Sequence, residues 1–391
     1  MKKLLSIIIP TKNRQEYCIL VVKHICSLSS RADFEIVIQD NSDDESLRHL
    51  IEPLCDERIV YHYHNGTLSF VDNFSEAFEQ SCGDYVCYIG DDDTVLPVIF
   101  DVADFVKRNN IECFVPSLGA VYFWPSKEEI LGEKDGRMTL YYVRKGCKKV
   151  DTRVGLKELI KNGGQGYQSM SIARSYHGIV SRKCFTEVKK ITGFYFDGLS
   201  PDIYNAVTLS LVCKEVVRGN FPITISGICP KSGSAASATG KHTGKLANAP
   251  HFKGHDNYIW DSKIIYAYSV ETIWAETVVK ALKSCGEDDL YNKFSMIKLI
   301  MYTLKNNPSL RKEILNYCEK QNISLLKVKM AQIDEAWSRF LGKIKKIFIT
   351  RKNDRLSFTN IKNIADAEKI VSTYVTCEYG NNLVLKNKNL N

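Results

Sequence analysis

No C-x-x-C pair occurs anywhere in the sequence, although it contains 13 cysteines. A zinc site or a disulfide framework shows paired spacing, so scattered reduced thiols serving as small core residues are expected. Long apolar runs are also missing. The run Leu4 to Ile9 stops at Pro10 and is followed by Lys12 and Arg14, with no small-residue cleavage site. It is too short for a signal peptide or a bilayer span, and no later stretch stays apolar and uncharged for long enough. The expectation is a cytoplasmic protein, either free or peripheral on the inner face of the cell membrane. There is no internal repeat, which excludes a repeat array. Strong charge of one sign is absent too: a net +8 over 391 residues does not by itself indicate nucleic acid.

What is present is an ordinary globular composition, 44% hydrophobic and 25% charged, in a chain long enough for two domains. The first hundred residues alternate short β-branched runs with helical patterns. Strands are expected at Leu4–Ile9, Phe34–Gln39, Arg58–His62 and Asp84–Ile89, with helices from about Arg14 to Leu28 and from Phe70 to Ser81. This rhythm predicts an α/β fold: an open, mostly parallel sheet with helices on both faces. Residues 115–230 are less regular. Residues 230–256 hold almost no large apolar side chains and read as a mobile loop or linker. From 257 the pattern is helical, with Trp260, Ile264, Ala267, Val270 and Trp274 at three- and four-residue spacing. Pro308-Ser309 marks a further helix start.

Ligands of open parallel sheets bind beyond the carboxyl ends of the strands. Thr11 and Arg14 follow the first strand, Asp40 ends the second, and Asp91-Asp92-Asp93 follow the fourth. Three adjacent carboxylates at a buried strand end repel one another, and a divalent cation relieves this while leaving positions open for phosphate oxygens. An isolated acidic run is more often a solvated turn; its place on one edge with Asp40 favours the metal. Asp40 can accept hydrogen bonds from uracil or guanine, or cap the following helix. Arg14 can pair with phosphate, stack on a base, or lie on the surface.

Together, Ser6-Ile-Ile-Ile-Pro10-Thr11-Lys-Asn-Arg14, Ile-Gln-Asp40-Asn-Ser-Asp43, Asn73-Phe, Gly83-Asp-Tyr-Val and Gly90-Asp-Asp-Asp93-Thr-Val-Leu-Pro97 resemble glycosyltransferase family 2 over roughly residues 3–100. The resemblance implies a GT-A fold and inverting, single-sugar transfer from a nucleotide sugar, UDP foremost, with Mn²⁺ or Mg²⁺. It implies that Pro10, Thr11 and Arg14 flank base and ribose, that Asp40 reads the base, and that Asn73 lies near ribose and phosphates. Asp91, Asp92 and Asp93 would form the D-x-D-type metal site, with Asp91 also near the donor. Many members have Asp-x-Asp-Asp, and counting back from Pro97 puts Gly90 at the first Asp. Which of the three carboxylates touches metal therefore stays open. The Gln-x-x-Arg-Trp motif of processive members is absent, in keeping with transfer of one sugar.

Inverting displacement needs a base for the acceptor hydroxyl. The family places an acidic residue well after the metal site, often opening a helix. Ser200-Pro201-Asp202 fits that context, so Asp202 is the expected base, with Asp197 as competitor and a helix-dipole carboxylate as the plain alternative. Gly178 either admits the donor sugar's approach or marks a simple turn. Lys231, Lys241, His242 and Lys245 either form a lid over the diphosphate or are solvated. Residues 339–355 combine an apolar stripe with dense positive charge, which suits either an anionic membrane surface or core packing with a basic outer face.

The expected organisation is a GT-A domain over residues 1–230, with a nucleotide-binding half to about 100 and an acceptor half beyond. The loop 231–256 and a C-terminal helical region, 257–391, follow. A glycan or lipid-diphosphate-linked acceptor is implied by the resemblance alone. Two other readings remain: a sugar-nucleotide nucleotidyltransferase, which should carry a glycine-rich phosphate loop after its first strand, and a non-catalytic glycan- or membrane-binding relative.

Overall fold

The computed structural model describes residues 2–117, 119–126, 136–141, 143, 146–233, 235, 243–244, 246, 249–252, 254–255, 258–349 and 355–379. The first apolar run forms β1 (Leu5–Thr11), buried along its whole length. It is followed by α1 (Gln15–Leu28), β2 (Phe34–Asp40), α2 (Ser46–Ile51), β3 (Ile59–Tyr63), α3 (Phe70–Glu79) and β4 (Tyr85–Tyr88). Ser69 caps α3, its hydroxyl accepting the Asp72 N–H. The strands pair in parallel in the order β3-β2-β1-β4, with Thr11 beside Asp40. The expected alternation holds here because each β-branched run is buried on both faces and ends in residues that favour turns.

The chain continues through β5 (Thr94–Val95), α4 (Val98–Arg108), β6 (Cys113–Val115), β7 (Ala120–Phe123), β8 (Arg137–Tyr141), β9 (Cys147–Lys149) and α5 (Thr152–Lys161). Then come β10 (Ile179–Ser181), α6 (Arg182–Thr192), α7 (Pro201–Val212), β11 (Val216–Gly219) and β12 (Thr224–Ile228). The first sheet extends as β4-β10-β6-β11-β9, with β10 antiparallel to both neighbours. A second sheet begins at β5, immediately after the acidic triplet, and β12 pairs antiparallel with it, Thr224 opposite Val95. This pairing brings the backbone N–H groups of Gly227 and Cys229 to the triplet.

The helical region starts later than the apolar spacing suggested. Trp260, Ile264 and Ala267 lie in turns, and α8 runs Val270–Ser284. Ser269 stops the helix from extending backward: its side chain accepts from Thr272 N–H while Thr272 reaches back to the Ser269 backbone, a complete capping box. Ile264 and Ala267 are nevertheless buried, so the spacing reported burial and not helix. Next are α9 (Asp288–Asn292), α10 (Met296–Asn306), α11 (Arg311–Lys320), entered through a 3₁₀ turn at Pro308–Leu310, and α12 (Leu325–Ile349). The chain then returns: β13 (Arg355–Phe358) pairs with β8, and α13 (Ile364–Tyr379) adds Ile364, Ala367 and Val371 to the core shared with α1. No described helix is long and apolar enough to cross a membrane.

Candidate functional site

The triplet sits in a tight, fully enclosed turn after β4, its three residues no more than 4% exposed. Each carboxylate has a different task. Asp93 is anchored: Oδ1 accepts the Gly227 N–H at 2.7 Å, and Oδ2 accepts the Gly90 N–H at 2.6 Å and the Tyr176 hydroxyl at 2.9 Å. Asp92 Oδ2 accepts the Cys229 N–H at 2.9 Å, and Asp91 Oδ2 accepts the Thr11 hydroxyl at 2.6 Å. The two remaining oxygens turn toward one cation. Arg14 Nη2 lies 2.8 Å from Asp91 Oδ1, and Nη1 lies 3.5 Å from Asp92 Oδ1.

This charge arrangement has a physical cost that shows in the protonation equilibria. Burial pushes all three carboxyls above the ordinary range, against the opposing pull of Arg14. Burial works against the charge of Arg14 as well, but Asp91 and Asp92 outweigh it and hold the guanidinium above its usual pKa. Asp91 Oδ1 receives the ion pair without a directed hydrogen bond. Two carboxylate oxygens thus converge where a positive charge is needed. Among the described residues no group of three His, Cys, Asp or Glu is placed to hold a metal ion. Two carboxylates plus substrate phosphate oxygens and water nonetheless suit Mg²⁺ or Mn²⁺, so the donor set fits such an ion.

Gly90 has a packing reason. A Cβ there would lie 3.0 Å from both Asp93 Oδ2 and the Tyr176 hydroxyl, and 3.1 Å from Asp92 Oδ1. A side chain there would need the folded-back Asp93 and Tyr176 to give by a few tenths of an ångström. Gly227 is tighter still, with a Cβ falling 1.7 Å from the Asp92 carbonyl oxygen.

Asp40 is fully buried beside the cluster, with Oδ1 accepting the Ser42 N–H at 2.9 Å and Oδ2 the Tyr61 hydroxyl at 2.8 Å. Asn73 Nδ2 points to the Thr11 carbonyl at 3.5 Å, while its buried Oδ1 has no partner. Pro10 and Thr11 are the last two residues of β1. Pro10, Thr11, Arg14, Asp40, Asn73 and Asp91 accordingly gather at one sheet edge.

The family described as glycosyl transferase family 2 matches residues 6–143. Residues 6–143, about a third of the chain, therefore read as similar to a family 2 glycosyltransferase domain. Of the residues described above, all but Gly227, Cys229 and Tyr176 fall inside the matched span, and Asp202 also lies beyond it. Among solved structures, S. aureus TarS 1–349 in complex with UDP-GlcNAc aligns at 13% identity and TM-score 0.44, over 83% of this chain and 93% of that one. The complex of the same TarS segment with UDP aligns at 13% identity and TM-score 0.43, over 86% and 92%. A longer S. aureus TarS structure gives 13% and 0.41, over 85% of this chain but 55% of that one, so the chain spans just over half its length. Likeness of this degree carries no inference about substrate. No curated relative matches the chain.

Asp202 stands in the first turn of α7, after Pro201. Ser200 Oγ donates to its Oδ1 at 2.5 Å, and the Tyr167 hydroxyl donates to Oδ2. Burial, then the charges of Asp93, Asp92 and Asp202, push Tyr176 well above its usual range, and burial pushes His177 down to about 3, leaving it neutral. His177 also adopts a left-handed backbone, φ 60°, with its Nδ1 2.9 Å from the Thr224 hydroxyl. Asp197 instead faces Lys280 across 3.6 Å.

Gly178 N–H bonds the Ser175 carbonyl at 3.2 Å, and a Cβ at this position would lie 2.2 Å from the Arg174 carbonyl oxygen. Lys231 pairs with Glu16 at 2.8 Å, near Arg14 in the chain, while Lys241, His242 and Lys245 lie outside the described residues. Parts of the 231–256 segment are packed against α3, with the His251 and Phe70 rings 5.3 Å apart. Of residues 339–355, Phe340 and Leu341 are exposed; the side chains of 342–349 and all of 350–354 lie outside the described residues. Sequence reading missed Tyr61, Trp124, Tyr167, Tyr176, Gly227 and Cys229. Trp124 Nε1 donates to the Asp92 carbonyl at 2.8 Å, sealing the turn. Only Gly227, an isolated glycine in a strand, carried a signal of close backbone approach.

Proposed function

We propose that this glycosyltransferase moves one sugar, with inversion, from a nucleoside diphosphate sugar, UDP foremost, to a glycan or lipid-linked acceptor. The convergence of Asp91 Oδ1 and Asp92 Oδ1 on a single positive charge carries the proposal. A divalent ion held by these two oxygens would neutralise charge on the departing diphosphate. Asp93, with both oxygens already bonded, acts as the anchor that fixes the turn. Arg14 retains 22% side-chain exposure and is available to pair with a diphosphate oxygen. Asp40, held by Tyr61 and Ser42, orients the base through its remaining lone pairs. Asp202, fixed by Ser200 and Tyr167, takes the acceptor hydroxyl proton as the new glycosidic bond forms and the bond to the nucleotide breaks.

Metal-dependent thermal stabilisation by a panel of UDP-, GDP- and dTDP-sugars tests this reading, because a ligand that binds the folded state raises its stability. Stabilisation by a UDP-sugar with Mn²⁺ or Mg²⁺ is expected, and to be lost in Asp91→Asn. A panel without any stabilising donor would overturn it.

A further inference from the structure

The helix α12 exposes a second surface, independent of the site. Leu326, Met330, Ile333, Trp337 and Phe340 are 68%, 56%, 56%, 59% and 54% exposed. Their spacing is four, three, four, three, and the sequence continues it at Ile344 and Ile347 within the same helix. A helix that merely covers a core shows a broad stripe, whereas the four-three alternation of a coiled-coil seam runs through this face, with Leu325 and Leu341 also exposed beside it. The core-facing side of α12 is a different one, where Val328 is buried and Glu335 pairs with Lys298 at 3.4 Å. The seam is therefore an apolar face left over after the helix has packed.

We propose that α12 pairs with α12 of a second copy of this chain in a parallel two-stranded coiled coil. Charge complementarity chooses this occupant. With Met330 and Trp337 at the a positions and Leu326, Ile333 and Phe340 at d, Lys329 falls at g and Asp334 at the following e. In a parallel pair those two positions meet across the seam, and the two-fold axis makes the contact twice. Both side chains are exposed, and neither has an ion-pair partner among the described residues. Trp337 and Phe340 contact each other edge to face at 5.9 Å, leaving a preassembled aromatic cluster on the seam. Lys343, Lys345 and Lys346 farther along the helix would suit an anionic membrane, but Asp334 at the edge of the seam would not, and it is the partner that Lys329 of a second copy needs.

Sedimentation equilibrium of the full chain should give a two-chain mass. Met330→Glu with Trp337→Glu should give a monomer with unchanged helical content, because both side chains are more than half exposed. The charge swaps separate a specific seam from loose stickiness. Lys329→Glu and Asp334→Lys should each weaken association about tenfold or more, and the double swap should restore it. A monomeric wild-type chain, a mass other than two chains, or a double swap as weak as either single variant would overturn the proposal. So would a monomer that binds phosphatidylglycerol vesicles and loses that binding in the Trp337→Glu chain, which would assign the face to a membrane.

Discussion

Replacing Arg14 with methionine removes the positive charge paired with Asp91 and Asp92 while keeping much of the side chain's apolar stem. Asp91 is fully buried and Asp92 nearly so, and the ion pairs are 2.8 and 3.5 Å long. Removing one partner of a buried ion pair costs about 3–5 kcal/mol, since the remaining charge stays uncompensated. Arg14 keeps 22% exposure, which puts the expected loss near the low end, about 3 kcal/mol. Asp93 should be the least affected of the three, because three donors hold it and Arg14 is the smallest influence on it. The assay is urea unfolding of both chains, first with a chelator and then with Mn²⁺. Chelated Arg14→Met should be less stable by about that amount. Metal at roughly 100 times its dissociation constant returns about 2.7 kcal/mol, so Mn²⁺ should recover most of the loss and stabilise the variant more than the wild type. Equal stability of the two chains in chelator, or an equal response to Mn²⁺, would refute the view that Asp91 and Asp92 form a shared cation site.

Gly227→Ala places a Cβ 1.7 Å from the Asp92 carbonyl, so β12 must move off the triplet. A loss of at least about 3 kcal/mol in thermal or urea unfolding is expected, with donor stabilisation abolished. Asp202→Asn should slow transfer roughly a hundred- to ten-thousand-fold without weakening donor binding. Tyr167→Phe, which removes one hydrogen bond to that carboxylate, should cost about tenfold in kcat. Glu276 is pushed by burial from 4.5 to about 7. A raised folded-state pKa gives stability that is fully present below the unfolded value and lost as pH rises through the folded one. Stability measured by urea unfolding at about pH 5 and about pH 8 should therefore fall by about 3 kcal/mol more in wild type than in Glu276→Gln.

The donor half was legible because its signals are local. A β-branched run, its turn residues and the polar group just beyond lie within about ten residues of one another, and parallel sheets bring strand ends to one edge. Family resemblance added roles for Asp40 and Asn73 that spacing alone left open. What could not be read was long-range pairing. Gly227 meets Asp93 from 134 positions away because β12 pairs antiparallel with β5, and no periodicity within either strand encodes that partnership. Tyr61 looked like any residue of a half-buried strand until β3 settled beside β2 and its hydroxyl reached Asp40. The triplet's division of labour was hidden for the same reason: the groups that anchor Asp93, except Gly90, come from distant segments. At Trp260 the error was in kind, since three- and four-residue spacing records burial on one side, which turns also achieve.

The most direct test is nucleoside diphosphate release from purified chain and a UDP-sugar, with and without chelator, in wild type and in Asp91→Asn. Release that needs Mn²⁺ or Mg²⁺ and disappears in Asp91→Asn is the expected result. Release that survives chelation, or that Asp91→Asn leaves intact, would contradict a metal-dependent transfer centred on the acidic triplet.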